Sequence, residues 1–275
     1  FGFDLDELAA ACPDIDGIVA TNTYGVDQDV AAIGGLGLPV VEDAAYQAGR
    51  VDDNGRMCGT RGSAGVWSFN FKAITGVGGG VLLTSGTEAT VAKAAGGGAA
   101  RFANYALRAV ARHHIPSFLP GAEPPSRELG TDVRASLETL VEGGMSERQA
   151  AVALVQWQRR EELAARQREN AGAIAGAVGE RLLGRPEMLP HLAPVLADDA
   201  EEAYRVRVAL YERGIQTEEP YPVPWDAPNA RDLAGRLVLV PCNASLGKRQ
   251  MERIVSVLEH AFSRRGAKTQ RRNLV

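Results

Sequence analysis

Three side chains early in the chain have the types that Schiff-base chemistry requires. Asp43 closes the apolar run Pro39 to Asp43 (PVVED), next to Glu42. Ser68 and Lys72 follow a second apolar run, four residues apart, just before a turn rich in glycine (Gly76, Gly78, Gly79 and Gly80). An amine can hold an aldehyde and later release it. A carboxylate can keep a ring nitrogen protonated, so that the ring takes up carbanion electrons. A small hydroxyl and backbone donors can hold a phosphate. Glycines let backbone approach such a group closely. The residues alone leave plainer roles open. A strand-end aspartate also caps helices, a lysine beside a glycine turn is also a surface charge, and a glycine-rich loop can merely turn.

Positioning these groups requires strands that end together. Gly17 to Asn22 (GIVATN), Pro39 to Asp43, Ala64 to Phe69 and Gly80 to Thr84 read as short buried strands,. A helical turn or two is expected between the first pair, over Asp27 to Ile33. The alternation predicts an α/β domain with a mostly parallel sheet, whose strand ends face a ligand site. Ala99 to His114 reads as helix, and the segment from Pro116 to Gly130 as an irregular crossover. One long helix is expected from Ser146, its N-cap, to about Val178. An α+β pattern follows. A strand lies near Pro194, and a helix runs through Ala203, Val206 and Leu210 to Gly214. A further strand covers Arg236 to Val240, and a last helix has its core stripe on Met251, Ile254, Val255, Leu258 and Phe262,. The expected division is 1–144 and 145–275. The tail from Arg264 carries five basic residues and no acid, and reads as a solvated end or an anion contact,.

Composition excludes several classes. The net charge is −4 and the pI about 5.7, so no nucleic-acid footprint is present,. Cys12, Cys58 and Cys242 form no CxxC pair and no zinc spacing, so a metal site is not expected and a reduced, cytoplasmic setting is,. No apolar run reaches the length of a membrane span.

Several blocks in the same order resemble one family. TNTYG (21–25), VVEDAAYQAG (40–49), GTRGSAGVWSFNFK (59–72), GGGVLLT (78–84), MSERQAAVALVQWQRREELAARQRENA (145–171) and GIQTEEPYPVP (214–224) are similar to successive motifs of the DegT/DnrJ/StrS sugar aminotransferases. These are pyridoxal 5′-phosphate enzymes of fold type I, in the aspartate aminotransferase superfamily. The resemblance implies a three-layer α/β cofactor domain with a mostly parallel sheet, followed by a smaller α+β C-terminal domain. It implies that Asp43 pairs with the pyridine nitrogen, that Lys72 is the Schiff-base lysine and that Ser68 binds the phosphate. Tyr46 falls in a slot near the ring hydroxyl that usually holds Gln or His. Asn22 falls at the end of the strand beside the site. A homodimer is implied. So is transfer of an amino group from glutamate or glutamine to a keto group on a nucleotide-linked sugar or a cyclitol.

The chain departs from the family pattern at several points. Ser68 and Lys72 are four apart where five is usual. Glu142 stands where a partner-contacting Asn is usual, Gly144 where an Arg is, and Gly78 where a Glu is. The resemblance begins near residue 3, roughly a quarter of the way into the usual family length. The family's N-terminal phosphate loop and ring-stacking aromatic therefore fall outside it. The expectation is weakened cofactor binding and impaired catalysis. The alternative reading is a cofactor-poor relative with a structural or regulatory role. A dehydrating branch of the family is disfavoured by Lys72, since that branch typically carries His there.

Overall fold

The structure is a computed structural model, and it describes residues 2, 4–70, 72–74, 78–84, 145–221 and 228–263. The readings for Ala99 to His114, the segment from Pro116 to Gly130, Glu142, Gly144 and the basic tail lie outside these residues.

Four strands form the first sheet: β1 (Ile18–Thr21), β2 (Val40–Asp43), β3 (Ala64–Ser68) and β4 (Gly80–Thr84), in the order β1-β2-β3-β4. β1, β2 and β3 are parallel, and β4 returns antiparallel to β3. The register sets Thr21 beside Asp43 and Asp43 beside Val66, so the carboxyl ends of three strands finish along one edge. Alternation along the strands sends Ile18, Ala20, Val40 and Glu42 to one face,. There Ile18, Ala20 and Val40 pack on Val30 and Ile33 of the short helix α2 (Val30–Gly34), which follows α1 (Leu5–Ala11). Asp29 caps α2 by accepting from the Ala32 amide,. Gly65 lies so close to Gly59 that a Cβ there would sit 1.9 Å from the Gly59 oxygen, so no other residue fits at this crossing of strand and loop.

The expected long helix is two helices, α3 (Glu147–Gln158) and α4 (Arg160–Val178). Ser146 and Gln149 form a capping box at the start of α3,. The ladder breaks at Arg159, which has φ −100° and ψ 11° and pairs with Glu162 at 2.8 Å. The two helices serve different cores, and that accounts for the break. Ala153 and Trp157 of α3 pack with Trp67 of the first sheet, with the two indoles 5.2 Å apart. Ala171, Ile174 and Val178 of α4 instead enter a second core. That core also holds β5 (Leu192–Leu196), α5 (Ala200–Glu212), β6 (Leu237–Pro241) and α7 (Lys248–Ser263). β5 and β6 pair antiparallel. Helix α6 (Pro228–Arg236), which leads into β6, and α1 were not anticipated. Each fully buried aliphatic side chain here contributes about 1.5–3 kcal/mol. Loss of any one of Leu189, Leu210 or Leu258, all with no exposed surface, would be felt.

Candidate active site

β2 ends on two carboxylates that point to opposite faces. Glu42 faces inward and has no exposed surface. Its carboxylate accepts from Arg61 Nε at 3.0 Å, Nη2 at 2.5 Å and the backbone amide at 3.0 Å. Arg61 also grips Asp27, at 3.0 and 2.6 Å. These acceptors hold the guanidinium firmly charged despite its burial,. Asn22 completes the network. Its Nδ2 donates to Glu42 at 3.1 Å, and its Oδ1 accepts from the Gln28 amide at 3.0 Å. Asn22 follows the end of β1, and its amide is committed at both ends to fixing the strand end. Arg61 was missed by sequence reasoning, although it stands in the GTRG block.

Asp43 points the other way. One of its oxygens accepts from the Ala45 amide at 3.0 Å, and its charge reaches Lys72. Lys72 is half-buried. Burial pushes its amine below the ordinary value of 10.5, and Asp43 and Glu218 act against that shift,. A larger fraction of neutral amine at physiological pH is what a nucleophilic lysine needs. Ser68 closes β3, and its hydroxyl oxygen accepts from the Asn70 amide at 3.3 Å. Asn70 Oδ1 is buried with no hydrogen-bond partner.

Around the lysine stands an aromatic box. The Lys72 Nζ lies over the Tyr46 ring, 3.7 Å from its centre. Tyr46 stacks on His191 at 5.3 Å and meets Tyr24 edge-on at 5.8 Å. Its hydroxyl shares a 2.7 Å hydrogen bond with that of Tyr221, which stacks on Tyr24 at 5.4 Å. The Tyr221 amide donates to the Tyr24 hydroxyl at 2.7 Å. Tyr24 reaches this place because the chain kinks after β1. It adopts a left-handed φ of 57°, followed by Gly25 at 88°, where a Cβ would strike Pro190 at 2.7 Å,. Burial raises the hydroxyls of Tyr24, Tyr46 and Tyr221, so all three stay protonated near neutrality. His191 and Tyr221 come from the second half of the chain. For Tyr221 the YP pair was a signal; for His191 there was none.

Among the described residues, other groups carry no comparable chemistry. The Cys58 and Cys242 thiols are each pushed up to about 12 by burial, which makes them poor nucleophiles,. Among the described residues, no group of three or more His, Cys, Asp or Glu could hold a metal ion. Nor, among them, is any helix long and apolar enough to cross a membrane. A cleft of about 450 Å³ lies between Asp27, Asp52, Arg61 and Arg185. It is lined by none of Asp43, Tyr46, Ser68 or Lys72; its arginines pair with Asp27, Asp52 and Asp53, and its Asp29 caps α2.

Comparison with known proteins bears on this arrangement. The model of the DegT/DnrJ/EryC1/StrS aminotransferase family matches residues 4–259. EpsN of Bacillus subtilis (strain 168), named as a pyridoxal phosphate-dependent aminotransferase, is 40% identical over 81 residues. That stretch is 28% of this chain and 21% of the relative's length. Among solved structures, Spr1654 from Streptococcus pneumoniae, described as a sugar aminotransferase in its PMP form, superposes with a TM-score of 0.68 at 16% identity. The match covers 95% of this chain and 73% of that one. DesI, solved with its TDP-sugar product, gives a TM-score of 0.63 at 23% identity over 98% of this chain and 69% of that one. At these identities the likeness establishes the fold.

Proposed function

This chain belongs to the DegT/DnrJ/EryC1/StrS aminotransferase family and has its fold-type-I architecture, and from that premise we propose that it is a pyridoxal 5′-phosphate-dependent transaminase. The amino group passes from glutamate or glutamine to a keto group on a nucleotide-linked sugar or a cyclitol. The observation that carries the reading is the half-buried Lys72 amine, which burial pushes below its ordinary value while the nearby Asp43 carboxylate acts against that shift.

The donor set suits the cofactor. Lys72 offers an amine for the aldehyde, and Asp43 a carboxylate for the ring nitrogen. Ser68 offers a hydroxyl for the phosphate. When bound, the cofactor supplies an aldehyde that carries the amino group and a ring that takes up electrons from the substrate's Cα. Asp43 holds the proton on the ring nitrogen. Neutral Lys72 Nζ takes the proton from the donor's Cα and is the acid that returns it. Support for a sugar acceptor comes from the fold neighbours, one described as a sugar aminotransferase and one solved with a TDP-sugar product. A homodimer belongs to the same reading.

Borohydride reduction in the presence of the cofactor, followed by peptide mapping, tests it. Label should fall on Lys72. Label on Lys93 or Lys248 instead would refute the assignment. A chain that takes no label and shows no visible cofactor band would be the cofactor-poor relative.

A further inference from the structure

Tyr46 has more contacts than a packing residue needs. His191 stacks on it, Tyr24 and Tyr221 meet it edge-on, and its hydroxyl is tied to Tyr221, 175 residues away. Over its ring, 3.7 Å from the centre, sits the amine of Lys72. We propose that Tyr46 is a positioning residue for Lys72: its π face seats the lysine's ammonium in the cofactor-free protein, and the tie to Tyr221 anchors that seat to the segment after α5. The inference rests on the reading of Lys72 as the reactive amine, and adds how that amine is held before cofactor arrives.

An aromatic ring carries negative charge density on its face, and a cation within about 6 Å of the centre is attracted to it. Lys72 is well inside that distance. The charged groups facing the lysine are Asp43 at the end of β2 and Glu218 before Tyr221, and both favour the ammonium. The Tyr24, Tyr46 and Tyr221 hydroxyls are neutral, because burial raises all three, so none of them supplies a competing anion. Burial works against the charge. The seat thus opposes desolvation and keeps the side chain from wandering between strand edge and solvent. Capture of the aldehyde requires the amine to lose its proton and leave the ring. The Tyr46–Tyr221 hydrogen bond prevents the ring from swinging away, so the second half of the chain helps to set the position of a lysine in the first.

Trace acetylation of lysines in the cofactor-free chain, read by peptide mapping against Lys248, measures the free amine at Lys72. The decisive pair is Tyr46→Phe and the same position filled with pentafluorophenylalanine, which nearly preserves ring size and abolishes the negative face. Lys72 should label roughly 3–10-fold faster in the fluorinated protein. Equal labelling overturns the seat. Tyr221→Phe, which breaks only the hydroxyl tie, should raise Lys72 labelling above that of the native chain, and no change overturns the anchoring. Circular dichroism checks the fold of each variant. If the fluorinated chain misfolds, Tyr46→Gln takes its place, with faster labelling expected and unchanged labelling again overturning the seat. No cofactor enters these measurements. Their failure would leave the borohydride result standing, and a missing borohydride label would leave the seat intact.

Discussion

Lys72 and Asp43 make opposite demands on their surroundings. Lys72 must shed its charge to react, and burial helps it do so. Because its folded-state value lies below the ordinary 10.5, the unfolded chain binds more protons as pH climbs through that interval. Native stability therefore rises with pH there, and the penalty of a buried ammonium is full below the folded-state value. Lys72→Met should raise the cofactor-free melting temperature by about 2–4 °C at pH 7. The gain should fade as pH approaches the ordinary lysine value. A gain that persists undiminished at high pH would show that packing, not charge, is responsible. Asp43 must keep its charge. Asp43→Asn should leave the circular dichroism spectrum intact and cut turnover by roughly 10²–10⁴-fold, since the ring nitrogen loses the group that keeps it protonated. Near-normal turnover would remove Asp43 from the role.

At the scale of elements, the strand edge depends on the Glu42–Arg61–Asp27 network. It joins the end of β2 to the loop before β3 and to the loop before α2, and Asn22 extends it to the end of β1. Both Glu42 and Arg61 are buried, and a buried ion deprived of its partner typically costs about 3–5 kcal/mol. Glu42→Gln should therefore lower the melting temperature by more than about 6 °C. Replacing Arg56, whose side chain is about half exposed and whose partner Asp52 keeps two backbone amide donors, should change it little,. If the two variants melt alike, the network is not what holds the edge. The break at Arg159 belongs to this scale too. Hydrophobic period alone predicted one helix, because both halves are helical. Only the existence of two cores requires a bend between them.

At the scale of the molecule, the two halves meet at the aromatic box. Tyr24 and Tyr46 come from the sheet edge, and His191 and Tyr221 from the flanks of β5 and α5. If the chain is a dimer, as proposed, its melting temperature should rise with protein concentration, and sedimentation should give twice the chain mass. A concentration-independent melt with monomer mass would reject it. Much of this organisation was legible beforehand. The apolar runs located all four strands of the first sheet, because the strands keep apolar residues in succession even where Val19, Val41 and Leu82 are exposed. The motif blocks singled out Asp43, Tyr46, Ser68 and Lys72, because their resemblance to one family's motifs carries roles to those positions. What the chain could not disclose locally is which groups meet across long separations. Glu42 and Asp43 are neighbours in sequence, yet one is locked inside with Arg61 and the other faces the lysine. Tyr46 and Tyr221 are remote in sequence, yet their hydroxyls are hydrogen-bonded to each other. Local periodicity is written into successive residues, so the sequence by itself determined the elements and the reactive types. Burial, which lowers the lysine's proton affinity, and the contacts of the aromatic box arise only when separate elements pack, so the tertiary structure decided how those types are tuned.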